Sequence, residues 1–116
     1  MVIAGDAHVT TVAVAPAHQH RRIATRLLLV LLRDAVALGA GRATLEVRAS
    51  NRAAQRLYSR FGFVPAGIRR GYYVDNREDA VVMWTDDIAA PAFERRLARI
   101  EADLVRPSVL QGVRSA

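Results

Sequence analysis

A leucine-rich segment between two strand-like segments restricts the fold of this chain more than any other feature. In Arg22–Leu38 apolar side chains cover most of the circumference of a helix, which predicts a helix buried on more than one side. The preceding segment His8–Val14 is rich in β-branched residues, and Arg42–Arg48 after the helix has apolar residues at alternate positions, so both predict strands. Strand, helix and strand in this order predict a right-handed crossover between parallel neighbours, hence an α/β fold.

Three further elements are predicted after this unit. A helix begins at Ser50 or Asn51, either of which is a good N-cap, and ends before Gly62. Two strands follow, Phe63–Arg70 and Ala80–Thr85, and we expect them to be antiparallel with a polar loop between them.

The end of the chain has a different pattern. Behind Pro91, apolar residues recur at helical spacing among charged ones; they are Phe93, Leu97, Ile100 and Leu104. This predicts an amphipathic helix that packs on its own domain, with packing on a partner as the alternative. We therefore expect a sheet-bearing part in residues 1–87 and a helical tail in residues 88–116.

Composition limits the kinds of site that the chain can carry. Its 116 residues are enough for one small domain, and the absence of cysteine excludes disulfides and thiolate chemistry. All 17 basic residues are arginine, which suits an anionic ligand, but they are scattered and no nucleic-acid-binding motif accompanies them. The longest apolar run, Leu27–Leu32, is too short to span a membrane, and no signal peptide is predicted. A cytoplasmic protein without a metal site fits these observations.

Three segments together resemble a known family. They are TTVAVAPAHQHRRIATRLL, LEVRASNRAAQRLYSRFGFVPAGIRRGYY and REDAVVMW. In order and spacing they are similar to the acetyl-CoA-dependent N-acetyltransferases of the GNAT superfamily, and within it to the RimI type, which acetylates the N-terminal alanine of a ribosomal protein. The resemblance covers about residues 7 to 86. It implies a mixed sheet in which two parallel strands splay apart and admit acetyl-CoA, which serves as cosubstrate.

The resemblance also implies which residues bind the cofactor. Backbone groups of the first strand would bind the thioester and pantetheine, and the loop and helix start after it would bind the pyrophosphate through free N–H groups and the helix dipole. Asn51 would hold the pantetheine arm, or would act only as a helix cap. The implied binding residues are Val12, Ala13, Val14, His20, Arg21, Arg22, Ile23, Ala24, Thr25 and Asn51.

One position departs from the family's glycine-rich loop, because Arg22 stands where the first glycine is expected. The change matters if the backbone there needs a positive φ, which is costly for a residue with a Cβ. Arginines in a first helical turn are electrostatically unfavourable unless an anion lies beside them. We expect the loop to bind CoA still, with the charges of Arg21 and Arg22 partly replacing the glycine.

Two residues match the family's catalytic pair. Glu46 would accept the proton of the attacking amine, and Tyr58 would supply one to the departing thiolate. Strand periodicity puts Glu46 on the face opposite Leu45 and Val47, where the alternative role is an ion pair with Arg48. Tyr58 lies two helical turns beyond Asn51, and its alternative role is to fill the core.

The resemblance predicts an acetyl transfer to an amine, first of all the N-terminal α-amino group of a ribosomal or other protein. The segment Arg69–Tyr73 resembles the hairpin on the substrate side.

A GNAT domain has three strands and two helices before the strand at His8, and few residues precede it here. We therefore expect a bare sheet edge at this strand. Three explanations of the short start remain open: the chain is a fragment of a full enzyme, it is a form completed by homodimerisation through that edge or the last helix, or it is a non-catalytic CoA-binding or interaction module.

Overall fold

A computed structural model describes residues 2–3, 6–9 and 19–105, which form a mixed α/β structure. These residues contain five strands and three helices, and apart from the first strand, which was not predicted, their order is the predicted one. In chain order they are β1 (Val2–Ile3), β2 (Asp6–Val9), α1 (Gln19–Ala37), β3 (Arg42–Arg48), α2 (Arg52–Arg60), β4 (Val64–Arg69), β5 (Ala80–Thr85) and α3 (Pro91–Val105).

The strands form one mixed sheet in the order β1-β2-β3-β5-β4. Strands β2 and β3 are parallel, with Val9 opposite Leu45, and α1 connects them. The other neighbours in the sheet are antiparallel. The predicted parallel pairing of the strands on either side of α1 and the predicted antiparallel pair β4–β5 are therefore confirmed, and β3 lies at the centre of the sheet.

The first predicted strand needs one correction. Strand β2 begins at Asp6, before the predicted start at His8, and the predicted residues beyond Val9 lie outside the described part of the chain. Strand β1 pairs with the start of β2, with Val2 opposite Ala7 and Ile3 opposite Asp6, which precede the predicted strand. A bare sheet edge along His8–Val14 therefore stays a prediction.

Helix α3 packs on its own chain, which was the preferred prediction. Its four predicted apolar residues are buried and belong to the same core cluster as the inner face of α1. Arg33 of α1 adds ion pairs to Glu94 at 2.9 Å and Glu101 at 3.0 Å. These pairs are exposed and contribute little free energy, so burial of the apolar face is what holds α3 in place. A domain boundary at residue 87 stays a prediction from sequence.

None of the helices in the described residues is both long enough and apolar enough to cross a membrane. Even α1, the longest, carries arginines along its 19 residues. Its buried residues include Leu28, Leu32 and Ala35, which pack in the core cluster with Leu45 of β3. This packing holds α1 against the central strand of the sheet.

Candidate active site

The central strand β3 presents Glu46 on the face opposite the core. Burial alternates along the strand, so that Leu45 and Val47 are buried while Glu46 is half-buried. Glu46 is paired in register with Val82 of β5. The predicted separation of this carboxylate from the apolar layer is therefore confirmed, and the side chain remains accessible to water or substrate on that face.

Arg48 lies on the same face of β3 as Glu46 and binds the loop between β4 and β5 to the end of this strand. Its guanidinium donates to Asp75 at 2.9 Å and to Glu78 at 3.3 Å, and lies 4.0 Å from the centre of the Tyr73 ring. Glu78 also accepts the Ser50 backbone N–H at 2.6 Å. Hydrogen bonds from Ser50 first, and from Arg48, lower the pKa of Glu78 to about 2. Arg48 thus has two carboxylate partners in this loop.

Tyr58 points inward from α2 and is only 3% exposed. Its ring lies 6.0 Å from that of Phe63 in a tilted arrangement. Burial, with a smaller contribution from Tyr73, raises the pKa of Tyr58 to about 12. The phenol therefore keeps its proton throughout the neutral range, which is the state that a proton donor needs.

Tyr73 interacts electrostatically with both catalytic candidates. Its charge makes a small contribution to the raised pKa of Tyr58. Burial raises the pKa of Tyr73 itself, and the charge of Glu46 adds to this rise while Arg48 opposes it. The sequence indicated the segment Arg69–Tyr73 as substrate-side, but it did not indicate that Tyr73 stacks on Arg48 at the end of β3. That contact depends on the ion pairs of Arg48 with Asp75 and Glu78, which are distant in the sequence.

The high pKa of Tyr58 predicts a loss of stability in alkali. In the unfolded chain a tyrosine releases its proton near pH 10, whereas folded Tyr58 retains it to about pH 12. The free energy of unfolding should therefore fall as pH rises above 10, by about 1.4 kcal/mol per pH unit for this group. Urea unfolding between pH 9 and pH 11 measures it. Tyr58→Phe should remove this part of the decline, and an equal decline in both proteins would show that Tyr58 is not responsible.

Asn51 is the N-cap of α2. Its Oδ1 accepts the backbone N–H of Ala54 at 3.1 Å, which satisfies one of the free donors of the first turn. The capping role is therefore confirmed. A cap uses the side-chain oxygen and leaves the amide NH₂ as a donor. The predicted contact of Asn51 with the pantetheine arm of CoA stays a prediction.

Helix α1 begins at Gln19, three residues before the predicted start. Only the first turn of a helix has free N–H groups, so the amides available to an anion are those near Gln19, His20 and Arg21. The amides of Ile23–Thr25 lie beyond that turn, and Ala24 and Thr25 are buried. The free amides therefore lie at the N-terminal end of the segment His20–Thr25. Pyrophosphate binding by that segment stays a prediction.

Arg22 bonds to the C-terminal end of α3. Its Nη2 donates to the backbone carbonyl of Leu104, one of the carbonyls that a helix end leaves without a partner. Arg22 lies within regular helix, and among the described residues the non-glycine positions with positive φ are Arg77 and Asp87. The missing glycine therefore causes no backbone strain, because the helix has already begun before position 22.

The predicted opening between the two parallel strands stays a prediction. The described pairing of β2 with β3 runs from Asp6 opposite Arg42 to Val9 opposite Leu45, where the described part of the first strand ends. The predicted partners of the thioester, Val12, Ala13 and Val14, lie outside the described residues. Among described residues, no group of histidines, cysteines and carboxylates has the arrangement of a metal site.

Comparison with known proteins agrees with this architecture. The acetyltransferase (GNAT) family matches residues 3–63. The [ribosomal protein bS18]-alanine N-acetyltransferase of Escherichia coli K12 is 42% identical over 84 residues, which are 71% of this chain and 57% of that protein. The N-alpha-acetyltransferase RimI of Mycobacterium tuberculosis is 45% identical over 78 residues, which are 67% of this chain and 48% of that protein. The chain thus spans about half the length of these relatives.

Solved structures give the same result. The crystal structure of the ribosomal-protein-S18-alanine N-acetyltransferase from E. coli superposes with a TM-score of 0.63 at 40% identity, over 74% of this chain and 57% of that one. A GNAT family acetyltransferase from Elizabethkingia anophelis, solved with acetyl-CoA bound, superposes with a TM-score of 0.61 over 70% of this chain and 60% of that one. At 20% identity this second structure supports the fold alone. The chain belongs to the GNAT family of acetyltransferases.

Proposed function

We propose that this chain transfers the acetyl group of acetyl-CoA to the N-terminal α-amino group of a protein. The observation that carries the proposal is that Glu46 lies half-buried on the open face of the central strand, while Tyr58 of the neighbouring helix α2 keeps its proton far into alkali. A carboxylate and a protonated phenol are the two groups that amide formation from a thioester requires. The identity to acetyltransferases of N-terminal alanine supports the same substrate class.

The proposed reaction assigns one proton transfer to each residue. Glu46 takes a proton from the ammonium, directly or through water, so that the neutral amine can attack the thioester carbon. The C–N bond forms, the C–S bond breaks, and the departing thiolate receives a hydrogen bond and then a proton from Tyr58. The second proton that the nitrogen loses on becoming an amide passes through water to the Tyr58 phenolate, and Glu46 releases the first one to solvent. An ordinary thiol has a pKa of about 8.5, so a phenol of pKa about 12 is the weaker acid of the two. Tyr58 therefore stabilises the departing thiolate first as a hydrogen-bond donor, and the proton transfer follows.

The cofactor would lie between the end of β2 and the second half of β3. Its pyrophosphate would contact the first turn of α1, where free N–H groups and the helix dipole favour an anion. Asn51 would donate its side-chain NH₂ to the pantetheine arm, since its oxygen is already used by the cap. Acetyl-CoA supplies the activated acetyl group, and the protein supplies the two proton-transfer groups.

The acceptor would bind against the loop between β4 and β5. Tyr73 and Tyr72 stack edge to face with ring centres 5.1 Å apart, and Arg48 fixes Tyr73 over the strand. These phenols can donate to the backbone carbonyls of a short peptide beside Glu46. A ribosomal protein that begins with alanine or another small residue is the proposed natural acceptor. The proposal places the protein in the cytoplasm, where such an acceptor is synthesised.

Mass spectrometry of acetylated peptides tests the proposal. The protein is incubated with acetyl-CoA and peptides that begin with alanine, serine or a bulky residue, and with the same peptides blocked at the α-amino group. We expect a gain of one acetyl group on the free alanine peptide and none on the blocked one. Glu46→Gln should abolish the transfer without unfolding the protein. Transfer that is equally fast on blocked peptides with a lysine would contradict α-amino specificity.

A further inference from the structure

Helix α1 has a second apolar face, on the side opposite the core. Its inner face is buried, whereas five large apolar side chains on the outer face are exposed; they are Ile23, Leu27, Val30, Leu31 and Leu38. Exposure reaches 63% for Ile23, 56% for Val30 and 72% for Leu38. We call these five residues the outer stripe. A surface helix of a monomer normally carries polar residues there, so a continuous apolar stripe indicates a contact surface.

Two exposed charges accompany the outer stripe. Arg26 and Asp34 lie four residues before and four residues after Val30, so all three project from the same side of the helix. Both side chains are exposed, and within the described residues neither takes part in an ion pair or a hydrogen bond. Arg33, on the side of α1 that faces α3, is by contrast paired with two glutamates. The stripe therefore carries one cation and one anion that remain available to a partner.

The arrangement is complementary to itself when a second copy of α1 runs antiparallel. With the two-fold axis near Val30, Arg26 of each copy lies opposite Asp34 of the other. The same register places Ile23 opposite Ala37, next to Leu38, and brings Val30 and Leu31 together at the centre. A parallel pair in register would instead bring Arg26 against Arg26 and Asp34 against Asp34, which is repulsive. The charges therefore select the antiparallel arrangement.

We infer that the outer stripe of α1 is a homodimer interface in which two copies pack antiparallel about Val30. A two-fold interface uses the same patch on both subunits, and the order Arg26–Val30–Asp34 meets that requirement. Apolar surface extends from Val30 to α3, where Val105 is exposed and a shallow cavity of ≈ 180 Å³ lies between the helices. This interface differs from the sheet edge and from the buried face of α3, and it does not depend on the acetyltransferase proposal.

The size of the interface predicts a reversible dimer. A helix of 19 residues is about 28 Å long, and one helix pair with the adjoining part of α3 lies at the small end of specific interfaces. We expect dissociation in the roughly micromolar range. The other candidate occupant is a different protein that covers the stripe, in which case the isolated chain stays monomeric at all concentrations.

Charge reversal with sedimentation velocity tests the register. Arg26→Asp places two aspartates opposite each other, and Asp34→Arg places two arginines opposite each other, so each change should weaken dimerisation about tenfold or more. The double variant restores the attraction and should dimerise like the unmodified protein. Arg99→Asp, an equal charge change on the exposed side of α3, is the matched control and should have no effect. Circular dichroism confirms that each variant is folded.

Three outcomes would overturn the inference. The first is an unmodified protein that stays monomeric at several hundred micromolar. The second is a dimer that tolerates both single reversals, which would locate the contact at the sheet edge or at α3. The third is a double variant as weak as the single ones, because restoration is what a two-fold antiparallel contact requires. Val30→Glu, at the centre of the proposed contact, should also give a folded monomer.

Discussion

Replacing Tyr58 by phenylalanine is expected to lower kcat by about 10²-fold or more, with CoA affinity kept. The change removes one hydroxyl from a buried ring and leaves the packing against Phe63 in place. Turnover should fall because the thiolate loses its hydrogen-bond and proton donor, whereas the groups that bind the cofactor are unchanged. Stopped-flow release of free CoA thiol, together with calorimetric CoA affinity, separates the two effects.

Tyr72→Phe is the matched control for this experiment. Tyr72 lies in the loop next to Tyr73, and 43% of its surface is exposed. It should change the KM for the peptide more than kcat, because its proposed contact is with the acceptor. If Tyr58→Phe had the full kcat of the unmodified protein, Tyr58 would be only a core residue. The assignment of Tyr58 as the proton donor would then be contradicted.

Replacing Leu97 by alanine is expected to lower the free energy of unfolding by about 2–5 kcal/mol. Leu97 is 1% exposed, at the centre of the buried face of α3, so its truncation leaves a cavity against the core cluster. A small domain has a total stability of only about 5–15 kcal/mol, so this loss is a large part of it. Urea unfolding followed by circular dichroism gives the difference.

Val105→Ala on the same helix serves as the control, because Val105 is exposed and its truncation should cost little. A loss at Leu97 as small as that at Val105 would mean that α3 contributes nothing to the core. The helical tail would then be a separate unit, and a chain ending at residue 87 should fold with unchanged stability. With the expected loss, such a shortened chain should be unstable.

The regular elements could be predicted from sequence because their signals are local. The alternating strand β3, the cap at Asn51 and the spacing of the buried residues in α3 each follow from a pattern of a few residues. The start of α1 was predicted three residues late, because the polar residues before Arg22 resemble a loop. The helix propensities of these residues do not exclude a helix, and the backbone at Arg22 shows no strain.

The contacts that build the site could not be predicted, because they join distant parts of the chain. Arg22 meets the carbonyl of Leu104 across 82 positions, and Arg48 meets Asp75 across 27. The sequence favoured a phosphate as the partner of Arg22 and left Glu46 as an alternative partner of Arg48. These contacts follow from the packing of α3 on α1 and from the position of the β4–β5 loop against β3. Charge patterns over a few residues cannot predict either arrangement.

The central claim is that the first turn of α1 and the end of β3 form a CoA site, and calorimetric titration tests it most directly. CoA and pantetheine, which lacks the pyrophosphate, are each titrated into the folded protein at two salt concentrations. We predict saturable one-to-one binding of CoA that weakens with salt, and much weaker binding of pantetheine. Absence of CoA binding to a protein that circular dichroism shows to be folded would contradict the claim, as would equal binding of the two ligands.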